Sequence, residues 1–349
     1  MAYTTINKYT AHFNTKTYTG NASGQTITGV GFQPDFIWVK QRGDAGYDHS
    51  LHNSVAGVLK KLASNKSDAE VTNTDTITST NSDGFVLGAD TAGPAANSVN
   101  QDTKNYVAWN WKGGGSSSTN NDGSITSTVS ANTTAGFSVV TWNGNSGTVG
   151  HGLGVKPDFI VVKSRQTGGS NNWVMTGSGL GANMNDTYLI LNADSVQGSG
   201  SNTWGGEPTA QHFTVQSAVA ANDNNVAYCF ATKKGYSVSG QYKGSGNANG
   251  SFIYTGFKPA FVMIKSTSPS ADWTINDNVR DSIPHPNNYR LFPNTNAAES
   301  TGSDSMDFLS NGFKLRSTDS GNNDGSGWYW YMAFGQSLVG TNNVPCTAR

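Results

Sequence analysis

His49 and His52 beside Asp48 form the best local histidine cluster in this 349-residue chain, and acid-base or metal chemistry is the first reading such a grouping invites. A metal site needs ligands whose spacing lets them converge on one ion. None of the six histidines (His12, His49, His52, His151, His212, His285) has the spacing of a metalloprotease or zinc pair with a carboxylate in matching register. The positions that align with His49 further along the chain are Trp173 and Trp273, which favours packing over catalysis. The cluster is therefore read as a solvated loop whose polar residues end a strand.

Two other segments carry residue types that could bind something. The run from Asp319, DSGNNDGSG, has the Asp, Asn and Gly spacing of a calcium loop, but its twelfth position is Trp330 where a bidentate Glu is required. A Gly-rich hairpin turn accounts for the same residues, so no metal and no cofactor are expected. Trp204, in GSGSNTWGGEP, lies in a Gly-rich loop and is the candidate for surface recognition, because an exposed indole can stack on a sugar ring. The chain has no Gly-x-Ser-x-Gly elbow, P-loop or dinucleotide fingerprint, and its 23 acids never recur as a pair, so no catalytic residue is assigned.

The elements that must position these residues are set by repetition. A decapeptide recurs three times, GFQPDFIWVK from Gly31, GVKPDFIVVK from Gly154 and GFKPAFVMIK from Gly256, with Gly, Pro, Phe and Lys at fixed places and periods of 123 and 102 residues. Other landmarks keep step with its proline. A strand start at Phe85, Phe213 and Phe313 follows by 51, 56 and 54 residues, and an aromatic strand ending at Trp109, Phe230 and Phe334 follows by 75, 73 and 75. Tyr18, Trp142 and Tyr242 mark an opening strand before it. The apolar runs are short, rich in Val, Ile and aromatics, and bounded by Gly, Asn, Asp or Ser. The prediction is an all-β chain of three tandem β-sandwich, jelly-roll-like domains, at 1–115, 116–234 and 235–349.

Proline fixes φ and cannot donate to a ladder, which places Pro34, Pro157 and Pro259 at strand entry, and beyond it the side chains alternate. Phe36, Trp38 and Lys40 face one way, Ile37 and Val39 the other, and Phe159, Val161 and Lys163 repeat the pattern against Ile160 and Val162. Both faces are apolar, so the strand must be covered twice, once by its own opposite sheet and once by a loop, a sister domain or another subunit. Trp38, Val161 and Met263 mark this candidate interface strand. The glycine run in GGGSSSTNNDG from Gly113 predicts a hinge that leaves the first unit free to move, whereas Phe230 to Tyr236 passes straight from one strand to the next.

Composition narrows the classes further. Charged residues are 13% of the chain, Gly numbers 42, and the net charge is −1 with no run of like charges, so neither nucleic acid nor membrane insertion is expected. Nine Trp, fifteen Phe and thirteen Tyr supply a core, which argues against disorder. Cys229 and Cys346 read as free thiols, and MAYTTINKYTAHF lacks a signal-peptide pattern, predicting synthesis in a cytoplasm.

Taken together, INKYTAHFNTKTYTGN, GVGFQPDFIWVKQR, YVAWNWKGGG, DGSITSTVSANTTAGFSVV, VGHGLGVKPDFIVVKSR, YTGFKPAFVMIKST and DFLSNGFKLRSTDS resemble a family of three-repeat structural proteins of tailed phages of marine bacteria. The resemblance runs from Ile6 to Arg349. It implies a non-enzymatic virion protein, grouped with tail or capsid-associated components. The expected role is a tail fibre or tail-associated adhesin meeting the host surface, with a capsid decoration protein as the alternative and a glycan depolymerase as the second. The expected partners are other virion proteins, copies of itself in a homo-oligomer (a trimer first), and a host surface glycan.

Overall fold

A computed structural model of the chain describes residues 3–91, 98–166, 171–201, 203–281, 287–302 and 305–340. Cys346 and His285 lie outside the described residues. The fold is all-β, and among the described residues the only helical element is the single 3-10 turn Tyr9–Ala11.

Three antiparallel sheets share one strand order. In the first repeat the opening strand Phe13–Thr19 pairs with the closing strand Asn105–Trp111, which pairs with the decapeptide strand Phe36–Gln41, which pairs with Ser50–Asn53. The third repeat follows the same order through Ser237–Lys243, Trp328–Gln336, Lys258–Ser268 and Thr274–Asp277. The second repeats it through Phe137–Trp142, Asn225–Phe230, Phe159–Ser164 and Val174–Gly177, and extends the sheet at both edges. A smaller sheet lies against the far face of each, centred on Gly84–Leu87, His212–Val215 and Gly312–Leu315.

The alternation in the decapeptide decides where each face goes. Ile37 and Val39 pack with Phe85 and Leu87 of the small sheet, as Ile160 and Val162 do with Phe213 and Val215. The opposite faces, with Phe36, Trp38, Phe159, Val161, Phe261 and Met263, meet in one core drawn from all three repeats. The second cover that the sequence demanded is thus the sister repeats. The repeated glycine has a backbone reason. Gly31, Gly154 and Gly256 all hold a left-handed φ, of +85°, +68° and +83°, which a side chain would strain.

Three sequence expectations need correction here. Register places Trp111, opposite Phe36, in the position of Phe230 opposite Phe159 and Phe334 opposite Phe261, so the first closing strand ends two residues later than Trp109. Pro259 does not precede its strand but lies within it, beside a register shift between Pro259 and Phe261. The glycine run, moreover, is packed where it leaves the first repeat. Gly113 donates its N–H to the Asp35 carboxylate (2.8 Å), Gly114 to Ser130 Oγ (2.9 Å), and a Cβ on Gly114 would fall 2.5 Å from the Ala131 carbonyl oxygen. These glycines allow close approach rather than motion, and Ser118–Asn120 beyond them is already a strand.

Candidate functional site

The residues marked by the repeat converge on the axis where the three sheets meet. Trp38, Val161 and Met263 together line a void of about 20 Å³ whose walls are apolar side chains from every repeat. A void of that size and character has no partners for a water molecule. Beside it, Trp111 has ring contacts to Phe13 and Phe36, to Phe137 and Phe230, and to Phe261 and Phe334, with centroids 4.9 to 6.5 Å away.

Around this axis the same bonds recur at each junction between repeats. His49 Nε2 reaches the Phe292 carbonyl of the third repeat (3.0 Å), Trp173 Nε1 that of Ala63 in the first (2.8 Å), and Trp273 Nε1 that of Ile190 in the second (2.9 Å). The backbone follows the same cycle. Glu299 N–H donates to Arg42 O, Glu70 N–H to Arg165 O and Gln197 N–H to Thr267 O, at 2.8, 3.1 and 3.1 Å. First meets third, second meets first and third meets second, so the repeats close a ring. Trp173→Phe deletes one such donor and leaves the Ala63 carbonyl only its 3.3 Å bond from the Lys66 N–H. The expected cost is about 0.5–1.5 kcal/mol in denaturant unfolding, and no loss would remove this bond from the account.

His49 and His52 are therefore not in a solvated loop; both side chains are fully buried. Trp38 Nε1 donates to His49 Nδ1 (2.8 Å), so the His49 proton sits on Nε2 and points at Phe292. Burial, helped by the Lys40 charge, holds His49 well below the usual imidazole range. Burial likewise lowers His52 to about 3. Both are neutral hydrogen-bonding groups at physiological pH.

The lysine that the repeat fixes at the end of each decapeptide is buried as well. Lys163 Nζ donates to the carbonyls of Ser67 (3.0 Å) and Ser164 (2.8 Å), and Lys265 Nζ to those of Asp194, Ser266 and Ala271 (2.8 to 3.0 Å). Lys40 Nζ donates to Gln41 O at 2.8 Å. Loss of water on burial lowers all three to about 8, only partly opposed by nearby carboxylates. Between about 8 and the ordinary 10.5 the unfolded chain binds more protons than the folded one, so these groups make stability rise with pH across that window. Cys229, pushed up by burial, and the buried tyrosines act in the opposite sense above their ordinary 9.0 and 10.0. Urea unfolding between about pH 7.5 and 9 should thus show a positive slope that Lys163→Met reduces; a flat profile contradicts the burial.

The junction between the first and third repeats carries an additional charge cluster. Arg280 bonds Asp277 and Glu299, and Glu299 in turn accepts from Arg42 of the first repeat. Trp109 Nε1 donates to Asp277 at 2.9 Å, and the Arg280 guanidinium lies over the Trp109 ring, 5.5 Å from its centroid. Burial would raise Asp277, but the adjacent Arg280 charge, together with hydrogen bonds from Arg280 and Trp109, outweighs it and holds the carboxyl below its usual range.

Trp204 is not a surface residue. Its indole is 2% exposed, packs in the second repeat with Phe213 and Val149, and donates Nε1 to the Thr187 carbonyl (3.3 Å). Gly205 and Gly206 bring this loop close to the neighbouring strand, where a Cβ on either would lie 3.0 or 2.9 Å from the Thr214 side chain. In the Asp319 loop, Asn322 and Asn323 are fully buried and bond Ser305, Ser317, Ser245 and Asn247, while Asp319 pairs with Arg290. Those groups serve the loop itself. Among the described residues no three His, Cys, Asp or Glu gather as metal ligands, and no helix is long and apolar enough to cross a membrane.

One family model spans residues 8–337, running through all three repeats as one domain. The chain belongs to the family described as a domain of unknown function, DUF7483. That one domain covers what the sequence divides into three agrees with a shared core. No curated protein matches the chain.

Proposed function

We propose that this DUF7483 chain is a structural component of a tailed-phage particle, a tail fibre or tail-associated adhesin that meets the host surface, built from three jelly-roll-like β-sandwich repeats. The observation that carries this reading is the closed ring. The distinctive side chains of the repeat, His49, Trp173, Trp273, Lys163 and Lys265, each bond to a neighbouring repeat. What faces outward is a surface drawn from a chain with few charges and many Gly, Ser, Thr and Asn residues. A rigid neutral body of this kind suits a particle component better than an enzyme that must open and close. Quantitative mass spectrometry of purified particles tests it. Detection at tail stoichiometry is the expected result, hundreds of copies per particle would make it a capsid decoration protein, and absence from particles would overturn the reading.

A further inference from the structure

The three repeats differ at one position in a way that opens a cleft in the second. Lys61, Tyr188 and Arg290 each precede the leucine (Leu62, Leu189, Leu291) that bridges to Leu51, Met175 and Ile275. In the third repeat Arg290 is tied to Asp319 (3.2 Å), and in the first Lys61 is buried and attracted by Asp48 and, less strongly, by Asp90. Asp319 and Asp90 both follow the end of the small-sheet strand, at Leu315 and Leu87. After the corresponding Val215 the second repeat has Ala218 and Val219 instead, and with neither cation nor acid to close it a cleft of about 390 Å³ lies between Tyr188 and that loop.

Its chemistry is specific. None of the described residues lining it is charged, so an ionic ligand finds no counter-charge among them. One part of the wall is apolar, with Val174, Ile190 and Val219, and another carries the amide of Asn172 and the hydroxyls of Thr203 and Ser217. The Asn172 amide is oriented by accepting from Asn192 Nδ2 (2.9 Å). Tyr188 stands opposite Gly198, and a Cβ there would lie 2.2 Å from its ring, so only glycine lets the ring lie across this strand while bordering the cleft. A pyranose combines an apolar C–H face with a rim of neutral hydroxyls, the complement of an aromatic ring beside amides and hydroxyls. The volume falls in the usual range for small-ligand sites, roughly 300–1,000 Å³.

We propose that the cleft beside Tyr188 binds a neutral saccharide unit, with the sugar's C–H face on the Tyr188 ring and its hydroxyls on Asn172, Thr203 and Ser217. This deepens the adhesin reading by naming the class of surface group recognised, and it rests on that reading only for its biological setting. The test presents the purified full chain to an array of neutral and acidic glycans and measures affinity for the best ligand by titration. Binding to a neutral glycan is expected, weakened at least about tenfold by Tyr188→Ala and retained by Tyr188→Phe. Ala218→Arg, at an exposed position on the cleft wall, should block binding while leaving the melting temperature unchanged, which separates loss of the site from loss of the fold. No neutral glycan bound, acidic glycans only, or binding indifferent to Tyr188→Ala and Ala218→Arg would each overturn the proposal. A particle-borne protein that binds no sugar would defeat this inference alone, whereas sugar binding by a protein absent from particles would defeat the adhesin reading alone.

Discussion

Arg280→Ala should lower the free energy of unfolding by about 3–5 kcal/mol, because it strands the buried Asp277 carboxylate without a counter-charge and leaves Glu299 with Arg42 alone. The Arg280 and Asp277 side chains are fully buried and Glu299 is 5% exposed. The location makes the loss larger in consequence than a local break. First and second repeats, and second and third, are joined by the chain itself; first and third meet only through non-covalent contacts, and this cluster, with Arg42 and Trp109 on the other side, is where the ring closes. The effect carries a pH signature. A carboxyl held below its ordinary range contributes stability that is present at neutral pH and lost as pH falls through its folded value. Without Arg280 that depression ends, so the variant should unfold in acid at a higher pH than the parent chain. Equilibrium unfolding at neutral pH and an acid titration by circular dichroism measure both effects, and a loss under about 1 kcal/mol would mean that the cluster does not hold the junction.

Trp111→Ala should cost a comparable amount, about 3–5 kcal/mol, since it empties the point where six phenylalanines from three repeats meet one ring. Trp111→Phe should cost far less. The aligned positions are already Phe230 and Phe334, and the Trp111 indole N–H is buried with no hydrogen-bond partner, so the smaller ring loses packing but also sheds an unpaired donor. Denaturant unfolding of both variants, followed by tryptophan fluorescence and far-ultraviolet circular dichroism, should give coincident shifts from the two probes. If only part of the signal moved, the core would not be shared.

The sequence made the decapeptide strand legible because period-2 alternation is a local property: two apolar faces required two covers, and the structure supplies both. What it concealed was long-range. His49 read as a polar loop residue because its partner, Phe292, is 243 positions away, and nothing nearby announces a buried acceptor. Trp204 read as exposed because glycines surround it in sequence, yet its cover comes from strands it meets only after folding. The closing strand of the first repeat was misplaced because Trp109 and Trp111 have the same parity, and alternation alone cannot choose between them. Some of the missed pairs did leave a trace. Arg42 and Arg165 each follow the repeated lysine by two residues, and Glu70 and Glu299 each follow Leu62 and Leu291 by eight, a matched spacing that marks the two ion pairs Arg42–Glu299 and Arg165–Glu70.

Common to all of these residues is that three copies of one unit close into a single body that cannot come apart repeat by repeat. Differential scanning calorimetry addresses that directly. One transition whose calorimetric and van't Hoff enthalpies agree is the predicted result, since unfolding any repeat exposes the core of the other two. Two or three resolved transitions, or a van't Hoff enthalpy of about one third of the calorimetric value, would show three independently folding units and contradict the shared core.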